Sequence, residues 1–147
     1  MRPALDSNVL LYGFLEPDTD KGRFANELVQ RVAGTGVLAV QVLGEFLWVV
    51  RRRRPEWSAR AARRVEFLRE VFAVVDTDFE LLMAGQDLMS RHRLQLWDAV
   101  ILKAAARGGA KLLLSEDMQD GARLDTMLIL DPFNAANNVR LDTLLPG

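Results

Sequence analysis

The chain has 147 residues, 50% hydrophobic and 27% charged, with a formal net charge of −1 and no cysteine. That length suits one domain over 1–147, able to bury roughly 70% of its unfolded surface without covalent staples. Disulfides and thiolate metal ligands are excluded, and no apolar run reaches the ~18 residues a membrane span requires. The opening MRPALDSNVLLYGFL has an Arg before an apolar patch, but Asp6 and Asn8 interrupt the patch and no small-residue cleavage site follows. A cytoplasmic location is therefore expected.

In chain order, Pro3-Ala4-Leu5 predicts a short strand, and Asp6-Ser7-Asn8 caps a helical run from Val9 to Leu15. Phe24, Leu28 and Val32 give helical spacing to Lys21–Ala33, which stops at Gly34-Thr35-Gly36. Val37 to Val40 predicts a buried strand and Gln41 to Arg54 a helix. Pro55-Glu56-Trp57 breaks that helix, and Ser58 is expected to cap the next, Ala59 to Phe72. Ala73-Val74-Val75 predicts a strand, and Asp78 caps a helix running to about Ser90. A nearly all-apolar helix around Leu96–Ala106 follows, then strands at Lys111–Leu114 and Met127–Leu130, and a polar, turn-rich tail from about Pro132. Strands alternating with helices predict an α/β domain with a mainly parallel sheet, and such sheets bind ligands outside the carboxyl ends of their strands.

Carboxylates recur at those ends. Asp6 follows the first strand directly. Glu45 sits one turn into the helix after Val37–Val40, with Trp48 and Val49 as apolar neighbours. Asp98 lies near the start of the apolar helix, flanked by Leu94, Ile101 and Leu102. Glu116, Asp117 and Asp120 follow Leu112–Leu114. A carboxylate on an apolar face is costly unless it is paired or holds a metal. Taken singly, Asp6 and Asp117 are explained as helix caps, Glu45 as an edge residue reaching solvent, and Asp98 as a partner of Arg91 or Arg93. Taken together, Asp6, Glu45, Asp98 and a later aspartate would carry about −4, which one or two divalent cations would offset. With His92 the only histidine, the ligands are oxygens, a set suited to Mg²⁺ or Mn²⁺ rather than to zinc. Such an ion activates water and neutralises a phosphoryl oxygen.

The cations are mostly Arg, suited to bidentate phosphate contacts. Arg51, Arg52, Arg53, Arg54, Arg60, Arg63, Arg64 and Arg69 crowd one segment. Either they pair with Glu56, Glu66 and Glu70, or Arg51–Arg54 face a phosphate or a partner. Arginines beside a metal site suggest phosphodiester hydrolysis.

The stretches Leu5-Asp6-Ser7-Asn8-Val9, Gln41-Val42-Leu43-Gly44-Glu45-Phe46, Leu96-Trp97-Asp98-Ala99-Val100-Ile101-Leu102 and Leu114-Ser115-Glu116-Asp117-Met118-Gln119-Asp120-Gly121 resemble the four motifs of PIN-domain ribonucleases. The likeness is nearest to VapC-type toxins of bacterial toxin–antitoxin pairs and spans about Leu5 to Leu130. It implies a three-layer α/β/α sandwich and Mg²⁺- or Mn²⁺-dependent endonucleolytic cleavage of RNA. A homodimer and inhibition by a cognate antitoxin protein are implied with it. Carried over, Asp6, Glu45 and Asp98 match the three metal-holding acids and Asp117 the fourth, with Asp120 a rival for that place. Ser115 matches the hydroxyl residue that precedes the fourth acid, and Asn8 would orient Asp6. Gly121 departs from the Phe common there, and the Arg51–Arg54 run is also unlike the family.

Other candidates are weaker. Asp76 and Asp78 read as turn and cap. Gly34-Thr35-Gly36 and Gly108-Gly109 lack the Lys-Ser/Thr of a phosphate loop. No Gly-x-Ser-x-Gly is present. A phosphatase using Asp6 as nucleophile would need an acid at position 8, where Asn8 stands. Trp48, Trp57, Trp97 and Phe67 are expected in the core, with Trp57 the one candidate for nucleic-acid contact. The helix Ala59–Phe72 could dock an antitoxin helix, though a plain amphipathic surface helix explains it as well. The alternative to an enzyme is a non-catalytic nucleic-acid or protein-binding module on the same fold.

Overall fold

A computed structural model describes residues 1–145. Six strands form one sheet: β1 (Pro3–Leu5), β2 (Val37–Ala39), β3 (Ala73–Val75), β4 (Leu112–Leu114), β5 (Arg123–Leu124) and β6 (Met127–Leu130). Their spatial order is β3-β2-β1-β4-β6-β5, parallel throughout except for the β5–β6 pair. β1, β2, β4 and β6 are buried at every residue, as expected of parallel strands covered on both faces, which read as unbroken apolar runs.

The helices are α1 (Ser7–Leu15), α2 (Asp20–Val32), α3 (Val40–Arg53), α4 (Ser58–Val71), α5 (Phe79–Arg91), α6 (Leu96–Arg107) and α7 (Asn138–Leu144). α1 packs on α2 and α3, α3 on α4, and α5 on α6. Right-handed crossovers then put α1–α4 on one face and α5–α6 on the other, giving the expected three-layer α/β/α sandwich. The α5–α6 contact is close: a Cβ on Gly85 would lie 2.7 Å from Val100 Cγ2, which fixes the helix that carries Asp98. Gly34 ends α2 at φ +90, a backbone state that costs any residue with a Cβ. The strand order reverses between β1 and β4, so their carboxyl ends meet at a switch point, where open α/β sheets place their ligands. Among the described residues no helix is long and apolar enough to cross a membrane.

Four expectations need correction. Ser58 does not cap α4. A 3-10 turn over Pro55–Trp57 runs straight into the helix, so Ser58 already has helical angles, and its Oγ is buried without a partner. The tail beyond Pro132 is more ordered than its polarity suggests. It forms a short turn and α7, which buries Leu141 and reaches α2 through Arg31 and Asp142 at 2.9 Å. β5 was not foreseen; two residues and a turn at Asp125, φ 53, leave too little periodicity to read. The aromatic residues expected in the core are largely outside it. Trp48 is 61% exposed, and Trp97 and Phe67 are also exposed. In α3 the buried face is Val42, Leu43, Phe46 and Val50. Trp48, two residues from both Phe46 and Val50, is therefore turned to the opposite side. Trp97 precedes the buried stretch of α6, which begins at Ala99.

Candidate active site

Asp6 leaves β1 at its carboxyl end and is almost fully buried. It does cap α1: Oδ1 accepts from Ser7 N at 2.8 Å. Its other oxygen, Oδ2, accepts from Ser115 Oγ at 2.7 Å, across the β1–β4 junction. Ser115 is itself buried at the end of β4, where its Oγ also accepts from Asp117 N at 3.2 Å and Met118 N at 3.3 Å. One hydroxyl thus ties the first acid to the backbone that presents the fourth.

Glu45, half-buried on α3, is bound to the same region by Ser7, whose Oγ donates to Glu45 Oε2 at 2.8 Å. Asn8 Nδ2 donates to Asp117 Oδ2 at 3.3 Å and reaches Ser115 Oγ at 3.5 Å, while Asn8 Oδ1 accepts from Glu116 N at 3.3 Å. Asn8 therefore orients Asp117 and its loop; the expectation that it orients Asp6 directly is not what the side chain does. Asp98 enters from the opposite layer, half-buried in the first turn of α6. Among the described residues Asp6, Glu45, Asp98 and Asp117 make no ion pair. Arg91, offered above as a partner for Asp98, binds Asp87 and Asp125 instead.

The electrostatics agree with this crowding. Burial pushes the Asp6 carboxyl up to about 6; the bonds from Ser115 and Ser7 oppose the rise, and the charges of Glu45 and Asp98 add to it. Glu45 is raised by burial and by Asp98 and Asp117, against the Ser7 bond. Asp98 is raised by burial and by Asp117. These are carboxylates near one another, short of positive charge.

The other two acids after β4 have different surroundings. Burial alone would raise Glu116, but bonds from Lys21 and from Tyr12 (2.7 Å) hold it below the usual range. Asp120 turns to the tail, accepting from Asp131 N (2.9 Å), Asn134 Nδ2 (2.9 Å) and Asn137 Nδ2 (3.0 Å). Its oxygens serve the fold, whereas the charge of Asp117 is felt by Glu45 and Asp98.

Two cavities open on the acids and share Asp117 as a wall. One, about 400 Å³, also has Ser7, Glu45, Trp48 and Arg53 on its walls. The other, about 300 Å³, has Arg93, Gln95 and Asp98. Asp6, almost fully buried, lines neither. Among the described residues, Arg54 is the member of the Arg51–Arg54 run in an ion pair, with Glu56 at 3.6 Å; Arg53 borders the first of these cavities. Trp57 is occupied, edge-on to Phe14 and covered by Arg54 and Arg60 at 4.8 and 5.0 Å, so the nucleic-acid contact considered for it has no free ring face.

The chain belongs to the PIN domain family, whose model matches residues 4–120. The fold is also that of several solved structures. A toxin–antitoxin complex from Klebsiella pneumoniae superposes with TM-score 0.67 at 16% identity, covering 89% of this chain and 98% of that one. VapC20 of Mycobacterium tuberculosis, described as a sarcin-ricin loop cleaving toxin, gives 0.62 at 18% identity, covering 78% and 91%. DNA-bound VapBC from Salmonella typhimurium gives 0.66 at 13% identity, covering 90% and 98%. No curated protein matches in sequence.

Proposed function

We propose that this protein is a divalent-metal-dependent endoribonuclease acting in the cytoplasm, the toxin of a type II toxin–antitoxin pair held in check by a cognate antitoxin. The observation that carries the reading is the set of four carboxylates, Asp6, Glu45, Asp98 and Asp117, brought from both helical layers to the β1–β4 switch point, none of them, among the described residues, in an ion pair. Similarity to VapC and VapBC structures supports the toxin role; a homodimer is part of the same proposal.

The donors fit a hard divalent ion: every candidate ligand is a carboxylate oxygen, and Asp6, Glu45 and Asp98 are destabilised as anions where they stand. Among the described residues no three acids already form a ligating group, so the fit rests on donor chemistry. Mg²⁺ or Mn²⁺ held by these four would supply a water of lowered pKa and charge against a phosphoryl oxygen. The rest is the chain's own work. Ser115 holds Asp6 in one rotamer, Ser7 holds Glu45, and Asn8 holds Asp117; partners of this kind fix a ligand's direction and basicity. Asp120, committed to the tail, is not assigned a ligand role.

Incubating the purified protein with total RNA, with Mg²⁺ or Mn²⁺ and with EDTA, tests the reading. Cleavage with the ion and none with EDTA is expected; metal-independent RNA binding without products would favour a binding module.

A further inference from the structure

The α3 side of the first cavity carries more than Glu45. Trp48 and Arg53 lie at i+3 and i+8 from it, and both wall the cavity that Glu45 and Asp117 line. Trp48 is the most exposed tryptophan that borders the acids, and among the described residues its indole has no ring, cation or hydrogen-bond partner. The contrast with Trp57, covered by two arginines, is direct. Arg53 likewise makes no ion pair. Five residues of helix separate the two, about 7.5 Å along the axis and about 140° around it, so they meet the shared cavity from different sides of α3.

An unpartnered indole offers a π-face for stacking, and a free guanidinium on the wall of the same cavity suits a phosphate. The combination of a π-face and a backbone cation is how single strands are held without reading a duplex; in a duplex the base faces are already stacked. We propose that Trp48 and Arg53 form a nucleotide subsite beside the acid cluster, where a base of single-stranded RNA stacks on the indole and a backbone phosphate pairs with the guanidinium. The proposal rests on the nuclease reading and assigns substrate contacts to two residues outside the acid set.

Binding can be measured without turnover. In an Asp98→Asn background, a short single-stranded RNA of mixed sequence should quench tryptophan fluorescence. Trp48→Ala should remove that quench and weaken binding about tenfold or more, while Trp48→Tyr retains most of the affinity. Arg53→Ala should weaken binding and flatten its salt dependence, and the same sequence as a duplex should bind poorly. In the otherwise unaltered enzyme, Trp48→Ala should raise KM with kcat changed by no more than about twofold. Trp48-dependent binding by a protein that cleaves nothing would support the subsite and defeat the nuclease reading. Cleavage by Trp48→Ala with the parent's KM would overturn the subsite and spare the nuclease. A change in oligomeric state in Trp48→Ala with RNA affinity intact would also overturn it, marking the face as a protein interface.

Discussion

Two sets of acids within one small domain behave in opposite ways. Asp6, Glu45 and Asp98, at the switch point, are all raised, by burial first and by one another second. Glu116, Asp120 and Asp125, a few residues away, are all lowered, because Lys21, the tail amides, or Arg91 and Lys103 attend them. The second set shows that the chain has cations and amides enough to satisfy its carboxylates. Leaving the first set without them is therefore a property of the place, and it is the electrostatic condition under which an external cation binds. Glu116 and Asp117 make the point at a single peptide bond: one is paired with Lys21, and the other, without an ion pair among the described residues, adds its charge to Glu45 and Asp98.

The contrast should break most sharply at Asp98→Asn. Loss of a ligand is expected to exceed the 10–100-fold cost typical of a residue that only supports one, so RNA cleavage should fall by at least about 100-fold. The metal-free protein should melt no lower than the parent, since a repelling charge is gone; a large loss of Tm would mean that Asp98 is a structural residue.

The pH dependence follows from Asp6. Its folded pKa, about 6, lies above the unfolded value of 3.8. The folded state therefore holds the proton more tightly, and the stability this contributes is present below about pH 4 and lost as pH rises through 6. The full window is worth about 3 kcal/mol. A divalent cation should accordingly raise Tm by more at about pH 7.5 than at about pH 5, and Asp6→Asn should flatten the difference. Equal shifts at both pH values would contradict the account.

Ser115→Ala comes next. It strips Asp6 of its donor and leaves Asp117 N and Met118 N without their acceptor, at a cost of about 1–3 kcal/mol in chemical denaturation. Cation affinity should fall with it. The smallest effect is expected on the satisfied side. Asp120→Ala should cost about 1 kcal/mol by freeing the tail amides, with cleavage and cation affinity unchanged. A loss of cation affinity there would return Asp120 to the ligand set.

Much of this was visible in the sequence because buried parallel strands are short apolar runs and their ends fall at fixed places. Asp6, Glu45 and Asp117 could be placed after strands, and Asp98 near a helix start, from that pattern alone. The choice between Asp117 and Asp120 could not, since it depends on Asn134 and Asn137 in a tail that reads as irregular. Nor could the part played by Asn8, which lies one helical position from where an Asp6 partner would sit yet reaches across to β4. Trp48 was misplaced for a simpler reason: composition puts tryptophan inside, whereas phase relative to Phe46 and Val50 puts it outside.

The most direct test is calorimetric titration of Mn²⁺ into the metal-free protein and into Asp98→Asn and Asp117→Asn at about pH 7.5, where Asp6 is ionised. Saturable binding by the parent, weakened at least about tenfold in each variant, is the predicted result. Parent and variants binding alike, or none binding at all, would contradict the claim that these carboxylates form a cation site.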